Sequence, residues 1–143
     1  MNYDNDIGEK HATYHSVYGE NGSIFHWRDF GIPKEKIVTG IPFYARAGWG
    51  EEWMFYNDIV KMNPKLPIEI DFISYKKDDF EIKNYGFNGI STVIKKVMEN
   101  KKLKLPGMMF WQLAGDMLIT NEYSLLKVIN SEMGLNSREK MAH

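Results

Sequence analysis

Leu105-Pro-Gly-Met-Met-Phe-Trp-Gln-Leu-Ala-Gly-Asp116 is a nearly continuous apolar run, entered through Pro-Gly and left through Ala-Gly-Asp. A run this short, bounded by turn residues, predicts a strand buried on both faces, the kind found in parallel sheets. Its polar end carries Trp111 and Gln112. In α/β sheets ligands lie beyond the carboxyl ends of the strands, so these two residues stand where a ligand would sit. An aromatic at a strand end is more often packing than platform, and this segment alone does not decide between the two.

Working outward, Ile90, Val93, Ile94, Val97 and Met98 recur at helical spacing and predict an amphipathic helix with Lys95, Lys96 and Glu99 on its wet face. After the strand, Leu125, Leu126 and Ile129 predict a last helix over 123–133, stopped by Gly134, with 136–143 as a frayed tail. Asp116 reads as an organiser of the loop before that helix. Upstream, Ser23 caps a predicted helix over 24–30 whose Ile24, Trp27 and Phe30 face the core. A β-branched strand follows over 36–44, and Pro42 marks its exit. One or two helical turns are expected over 56–62, stopped by Asn63-Pro64, and a small hairpin from 68–72 to 80–85. Residues 5–22 read as a long surface loop. Within it His11 and His15 stand four apart, but no helix or companion carboxylate is predicted there, so they read as loop histidines and no metal site is expected. Met1 to Asp4 resembles the end of a cut strand. Strands alternating with helices in this way predict α/β architecture with a parallel sheet.

The chain has 143 residues, 43% hydrophobic and 26% charged, enough for one domain with a core. A net charge of -1 provides no basic field, so no nucleic-acid partner is expected. The opening residues are polar and acidic, and no run approaches membrane-spanning length, so neither a signal peptide nor a membrane partner is expected. Without cysteine there is no disulfide framework, which fits an exported or a cytosolic protein and leaves the compartment open. Aromatic content is high at 14%, a level that suits stacking on sugar rings and a rich core alike.

Three segments taken together, Met1-Asn-Tyr-Asp4, Lys36-Ile-Val-Thr-Gly-Ile-Pro-Phe-Tyr-Ala-Arg46 and Pro106-Gly-Met-Met-Phe-Trp-Gln-Leu-Ala-Gly-Asp116, resemble the sixth, seventh and eighth strands of family 18 glycoside hydrolases, the chitinases. Tyr85-Gly-Phe-Asn-Gly-Ile90 and Glu122-Tyr-Ser-Leu-Leu126 resemble compact bacterial members of that family. The resemblance implies that residues 1–135 are the carboxyl-terminal part, strands six to eight, of a TIM (β/α)8 barrel, with a small β-hairpin insertion at about 45–85. A whole barrel takes about 250 residues.

The resemblance also implies a chemistry. In the family the acetamido oxygen of the sugar attacks its own anomeric carbon while a glutamic acid protonates the leaving oxygen, giving retaining hydrolysis of β-1,4-linked N-acetylglucosamine polymers without a cofactor. On this chain Tyr3 would touch the acetamido group, Asp4 would contact hydroxyls, and Trp111, followed by a cis peptide, would floor the central subsite. Met1 would line the same pocket, with Tyr44 and Arg46 near the reducing-side sugars. Trp49 or Trp53 would extend an aromatic platform, although neither matches a family position. The family's Asp-x-x-Asp-x-Asp-x-Glu motif does not occur in the chain, and Glu9, Glu51 and Glu52 lack the carboxylate spacing of a substitute. The expected polypeptide partner is therefore an amino-terminal half of the barrel, or a second copy, and the expected ligand is chitin or its oligosaccharides. The chain alone is expected to be inactive, the other expectation being a lectin-like binding module or a truncated product. A secreted parent would carry its export signal upstream.

Overall fold

The computed structural model describes residues 4–50, 52–76 and 81–134. A 3-10 turn, Gly8–Lys10, precedes α1 (Tyr14–Tyr18) and α2 (Ser23–Asp29), and a second turn, Lys34–Lys36, leads into β1 (Thr39–Pro42) and β2 (Tyr44–Arg46). β3 (Trp53–Phe55), α3 (Tyr56–Met62), β4 (Phe72–Lys76) and β5 (Ile82–Gly86) form the middle of the chain. α4 (Ile90–Lys102), β6 (Met108–Trp111), the turn Leu113–Gly115 and α5 (Leu125–Met133) complete it.

The architecture is α/β, and the decisive strand pairs as its composition predicts. β6 lies parallel to β1 in the register Thr39↔Met108 to Pro42↔Trp111. A second, antiparallel sheet has the order β3-β2-β5-β4, so the hairpin between 68 and 85 is present but shifted along the chain. The expected single strand over 36–44 is split. Pro42 has no N–H to donate, the Phe43 N–H goes to the Trp111 carbonyl at 2.7 Å, and the Phe43 carbonyl accepts from Tyr56 at 3.1 Å. The chain therefore passes from one sheet into the other at this residue. Ile41, Phe43, Phe87, Val93, Val97 and Leu125 form the centre of the core.

Several expectations change. β6 is half-buried along its length and Trp111 is exposed, because among the described residues β6 has a strand neighbour on one side only. Ser23 lies inside α2 rather than capping it, with Gly22 at the cap, and only Ile24 of the expected inward stripe is buried. Trp27 and Phe30 stay exposed, Phe30 at 81%. The supposed loop over 5–22 contains α1, capped by the Thr13 hydroxyl, which accepts from the Ser16 N–H at 3.2 Å. As read from the sequence, Asp116 organises the last loop. Its carboxylate accepts from the N–H groups of Met117, Leu125 and Leu126 at 2.8 Å and from the Ser124 hydroxyl at 3.0 Å, supplying the start of α5.

The largest correction concerns α4. Its inner stripe is Val93, Lys96, Val97 and Asn100, whereas Met98 points outward. Lys96, expected on the wet face, is wholly buried, and its Nζ donates to the Ala12 carbonyl at 2.6 Å and the Asn88 Oδ1 at 2.7 Å. Asn88 also donates to the Ala12 carbonyl, at 2.9 Å. Burial is the dominant effect on this amine, pulling its pKa from 10.5 to about 7 against the attraction of the Asp71 carboxylate. A neutral amine has two N–H donors, which match the two acceptors facing it.

In the unfolded chain this amine titrates near 10.5, so between about 7 and 10.5 the unfolded state binds more protons than the folded one. Folded-state stability attributable to Lys96 therefore rises with pH through that window and is lost as pH falls through it. The melting temperature of the wild type is expected to climb relative to that of Lys96→Met as pH is raised from about 7.5 to about 10. A difference that stays constant over this range would contradict a neutral buried amine.

Candidate sugar-binding cleft

The ladder that joins β1 to β6 also assembles a cleft of about 200 Å³ at their carboxyl ends. From β6 comes Trp111, 55% exposed, followed by a cis peptide to Gln112. The turn after it fits closely against the strand switch, where a Cβ on Gly115 would stand 2.1 Å from the Phe43 carbonyl oxygen, so only glycine fits without displacing backbone. From the other side comes the β2–β3 hairpin, paired as Tyr44↔Phe55 and Arg46↔Trp53. Alternate residues of a strand share a face, which gathers these four side chains on one surface of the hairpin, and all four line the cleft. Ala45 and Met54 take the opposite face and pack into the core.

Asp4 supplies the negative charge. Its Oδ1 lies 3.2 Å from Arg46 Nε and 3.1 Å from His11 Nε2. The Arg46 contact is an ion pair and not an aligned hydrogen bond, since among the described residues that Nε finds no well-directed acceptor. The guanidinium also lies over Trp49, 5.9 Å from the ring centroid. His11 is wholly buried, and its Nδ1 is 2.9 Å from the Gly86 carbonyl. A carbonyl only accepts, so Nδ1 bears hydrogen. A carboxylate only accepts as well, so Nε2 donates to Asp4 when the ring carries its second proton. Burial is the largest influence on His11 and lowers its pKa from 6.5, while the Gly86 carbonyl and the Asp4 charge oppose it and the Arg46 charge adds to it.

Of the residues singled out from the sequence, Asp4, Tyr44, Arg46 and Trp111 are brought together in this cleft. Tyr44 is buried beneath it, its ring 5.5 Å from that of His11. Met1 and Tyr3 lie outside the described residues, as does Glu51. Glu52 pairs with Lys83, and Glu9 accepts from Asn84 at 2.7 Å; both line a separate hollow and not this cleft. The two histidines part company, with His15 on α1 and His11 holding Asp4, so the reading of His11 as an unaccompanied loop residue is corrected. Gln112, read from the strand end as standing where a ligand would sit, and Trp53, one of two candidates for an aromatic platform, line the cleft, and Phe55 joins them without having been singled out from the sequence. The i, i+2 spacing of 44/46 and 53/55 was the available signal for Phe55, whereas nothing local marks His11.

No protein-family model matches the sequence, and no curated protein matches it either. Solved structures do. A chitinase from Bacteroides thetaiotaomicron is 26% identical with a TM-score of 0.72, the match covering 100% of this chain and 45% of that one. A family 18 chitinase from the chitin utilization locus of Flavobacterium johnsoniae is 26% identical with a TM-score of 0.67, over 93% of this chain and 40% of that one. A human pseudo-chitinase with retained chitooligosaccharide-binding properties, 20% identical with a TM-score of 0.59, matches over 82% of this chain and 40% of its own. The chain is thus similar to family 18 chitinases and chitinase-like proteins while spanning less than half their length.

Proposed function

We propose that this chain is the carboxyl-terminal part of a chitinase-like catalytic barrel, corresponding to its sixth to eighth strands, and that its cleft recognises β-1,4-linked N-acetylglucosamine chains. The observation that carries this reading is the exposed Trp111 indole beside the Asp4–Arg46 ion pair. An indole face offers apolar surface to the C–H face of a pyranose, and the flanking charges offer an acceptor and donors to its hydroxyls. Asp4 and Arg46 offset each other's charge, which favours an uncharged polyol over an anion. In this reading Tyr3 hydrogen-bonds the acetamido group, Met1 lines the same pocket, and Tyr44 and Arg46 lie toward the reducing-side sugars.

Hydrolysis on this plan needs a glutamic acid to protonate the leaving oxygen while the acetamido oxygen attacks the anomeric carbon. The Asp-x-x-Asp-x-Asp-x-Glu pattern that would carry it is not in these 143 residues, so the acid is assigned to another polypeptide segment. A non-catalytic, lectin-like module is the second reading. It is favoured by the pseudo-chitinase among the matched structures, which is described as retaining chitooligosaccharide binding.

Titration with chitotriose tests recognition. The full chain is expected to bind it, and Trp111→Ala to weaken binding on the order of tenfold, as removal of roughly 50 Å² of stacked apolar surface implies. The same material is expected to leave a fluorogenic N-acetylglucosamine oligomer uncleaved. Absence of binding would remove the sugar-recognition reading, and turnover by the pure chain would overturn the assignment of the acid elsewhere.

A covering partner is part of the same proposal. Trp27, Phe30, Ile32 and Val38 leave exposed apolar surface near β1, and Leu113, Leu118 and Ile119 do so beyond β6. Contiguous surface of this kind is ordinarily covered, here by the rest of the barrel or a second copy. Light scattering after size exclusion is expected to show association of the purified chain, and a monodisperse monomer with cooperative melting would contradict it.

A further inference from the structure

We infer that Trp53 is the stacking surface of a second pyranose position, adjoining the one floored by Trp111, so that the cleft reads at least two consecutive sugar rings. This inference rests on the proposed function and extends it to a residue that the family resemblance leaves unassigned. The sequence offers Trp49 and Trp53 as equal candidates for an extended platform, and the structure separates them. Trp49 does not line the cleft; its ring lies under the Arg46 guanidinium, where it holds the cation beside Asp4. Trp53 does line the cleft, together with Trp111.

Three observations make Trp53 a built surface. It occupies β3, an edge strand of its sheet among the described residues, and stands in register with Arg46 on β2. Its ring is held by a T-shaped contact with Phe55, centroids 5.0 Å apart at 74°, and Phe55 lines the cleft too. The indole nevertheless remains 43% exposed. An aromatic braced on one side and open on another retains little conformational freedom to lose on binding, which favours affinity. Arg46 lines the same cleft as the two indoles and is the cross-strand partner of Trp53, so hydroxyls of a disaccharide that contacts both rings have donors beside them. The local charges of Asp4 and Arg46 cancel, so an uncharged oligosaccharide fits and an anionic one gains nothing.

Calorimetric titration of the full chain with N-acetylglucosamine, its dimer and its trimer tests this. In the wild type, affinity is expected to rise about tenfold between the shortest and the longest sugar, the factor that roughly 50 Å² of additional apolar burial implies. Trp53→Ala is expected to abolish that rise, and Trp53→Phe, which keeps an aromatic face, to restore most of it. A rise that persists in Trp53→Ala, or one lost equally in Trp53→Phe, overturns the second position while leaving recognition at Trp111 intact. Failure of the wild type to bind any of the three sugars removes the proposed function and this inference together.

Discussion

The parallel pairing of β1 with β6 is the constraint on which the cleft depends. The two strands are far apart in the sequence, yet the register Pro42↔Trp111 puts the residues that follow each strand at the same end. One strand then delivers Trp111 and Gln112. The other delivers Tyr44 and Arg46, because proline ends β1 and Phe43 carries the chain over into the antiparallel sheet. A slip of one residue would turn alternate side chains to opposite faces and separate the indole from the ion pair.

Buried polar groups hold this arrangement from behind. Lys96 on α4 and Asn88 both reach the Ala12 carbonyl, and the neighbouring His11 bridges Gly86 and Asp4. A Cβ on Gly86 would stand 1.8 Å from the Gly8 carbonyl oxygen, so glycine there permits the turn at Gly8–Lys10 to close onto β5. The acid of the cleft is thus positioned by a chain of contacts running back to the long helix. Leaving any of these buried groups without a partner would cost on the order of 1–3 kcal/mol, a large share of a small domain's stability.

What the sequence discloses and conceals divides along the same lines. The apolar run ending at Trp111 is visible as a parallel strand because composition and turn residues are local signals, and the helices over 90–102 and 125–133 are visible through their period. Lys96 is concealed because its partner carbonyl at Ala12 is 84 residues away, and a lysine beside another lysine has the local appearance of a solvated face. His11 is concealed for the same reason, its acceptors being Gly86 and Asp4. Trp27 and Phe30 follow a helical period that predicts burial, but period reports which side is apolar and not whether anything covers it. Of the cleft, the resemblance to family 18 supplied Asp4, Tyr44, Arg46 and Trp111, whereas Phe55, and the choice of Trp53 over Trp49, required the hairpin register that brings 53 and 55 to the same face as 44 and 46.

The central claim is that Trp111 and the Asp4–Arg46 pair form one sugar-recognition surface. A crystal structure of the full chain grown with chitotriose tests it most directly. The account predicts a sugar ring lying against the Trp111 indole, with its hydroxyls within hydrogen-bond distance of Asp4 and Arg46. A chitotriose molecule seated elsewhere on the chain, with the cleft left to solvent, would contradict it.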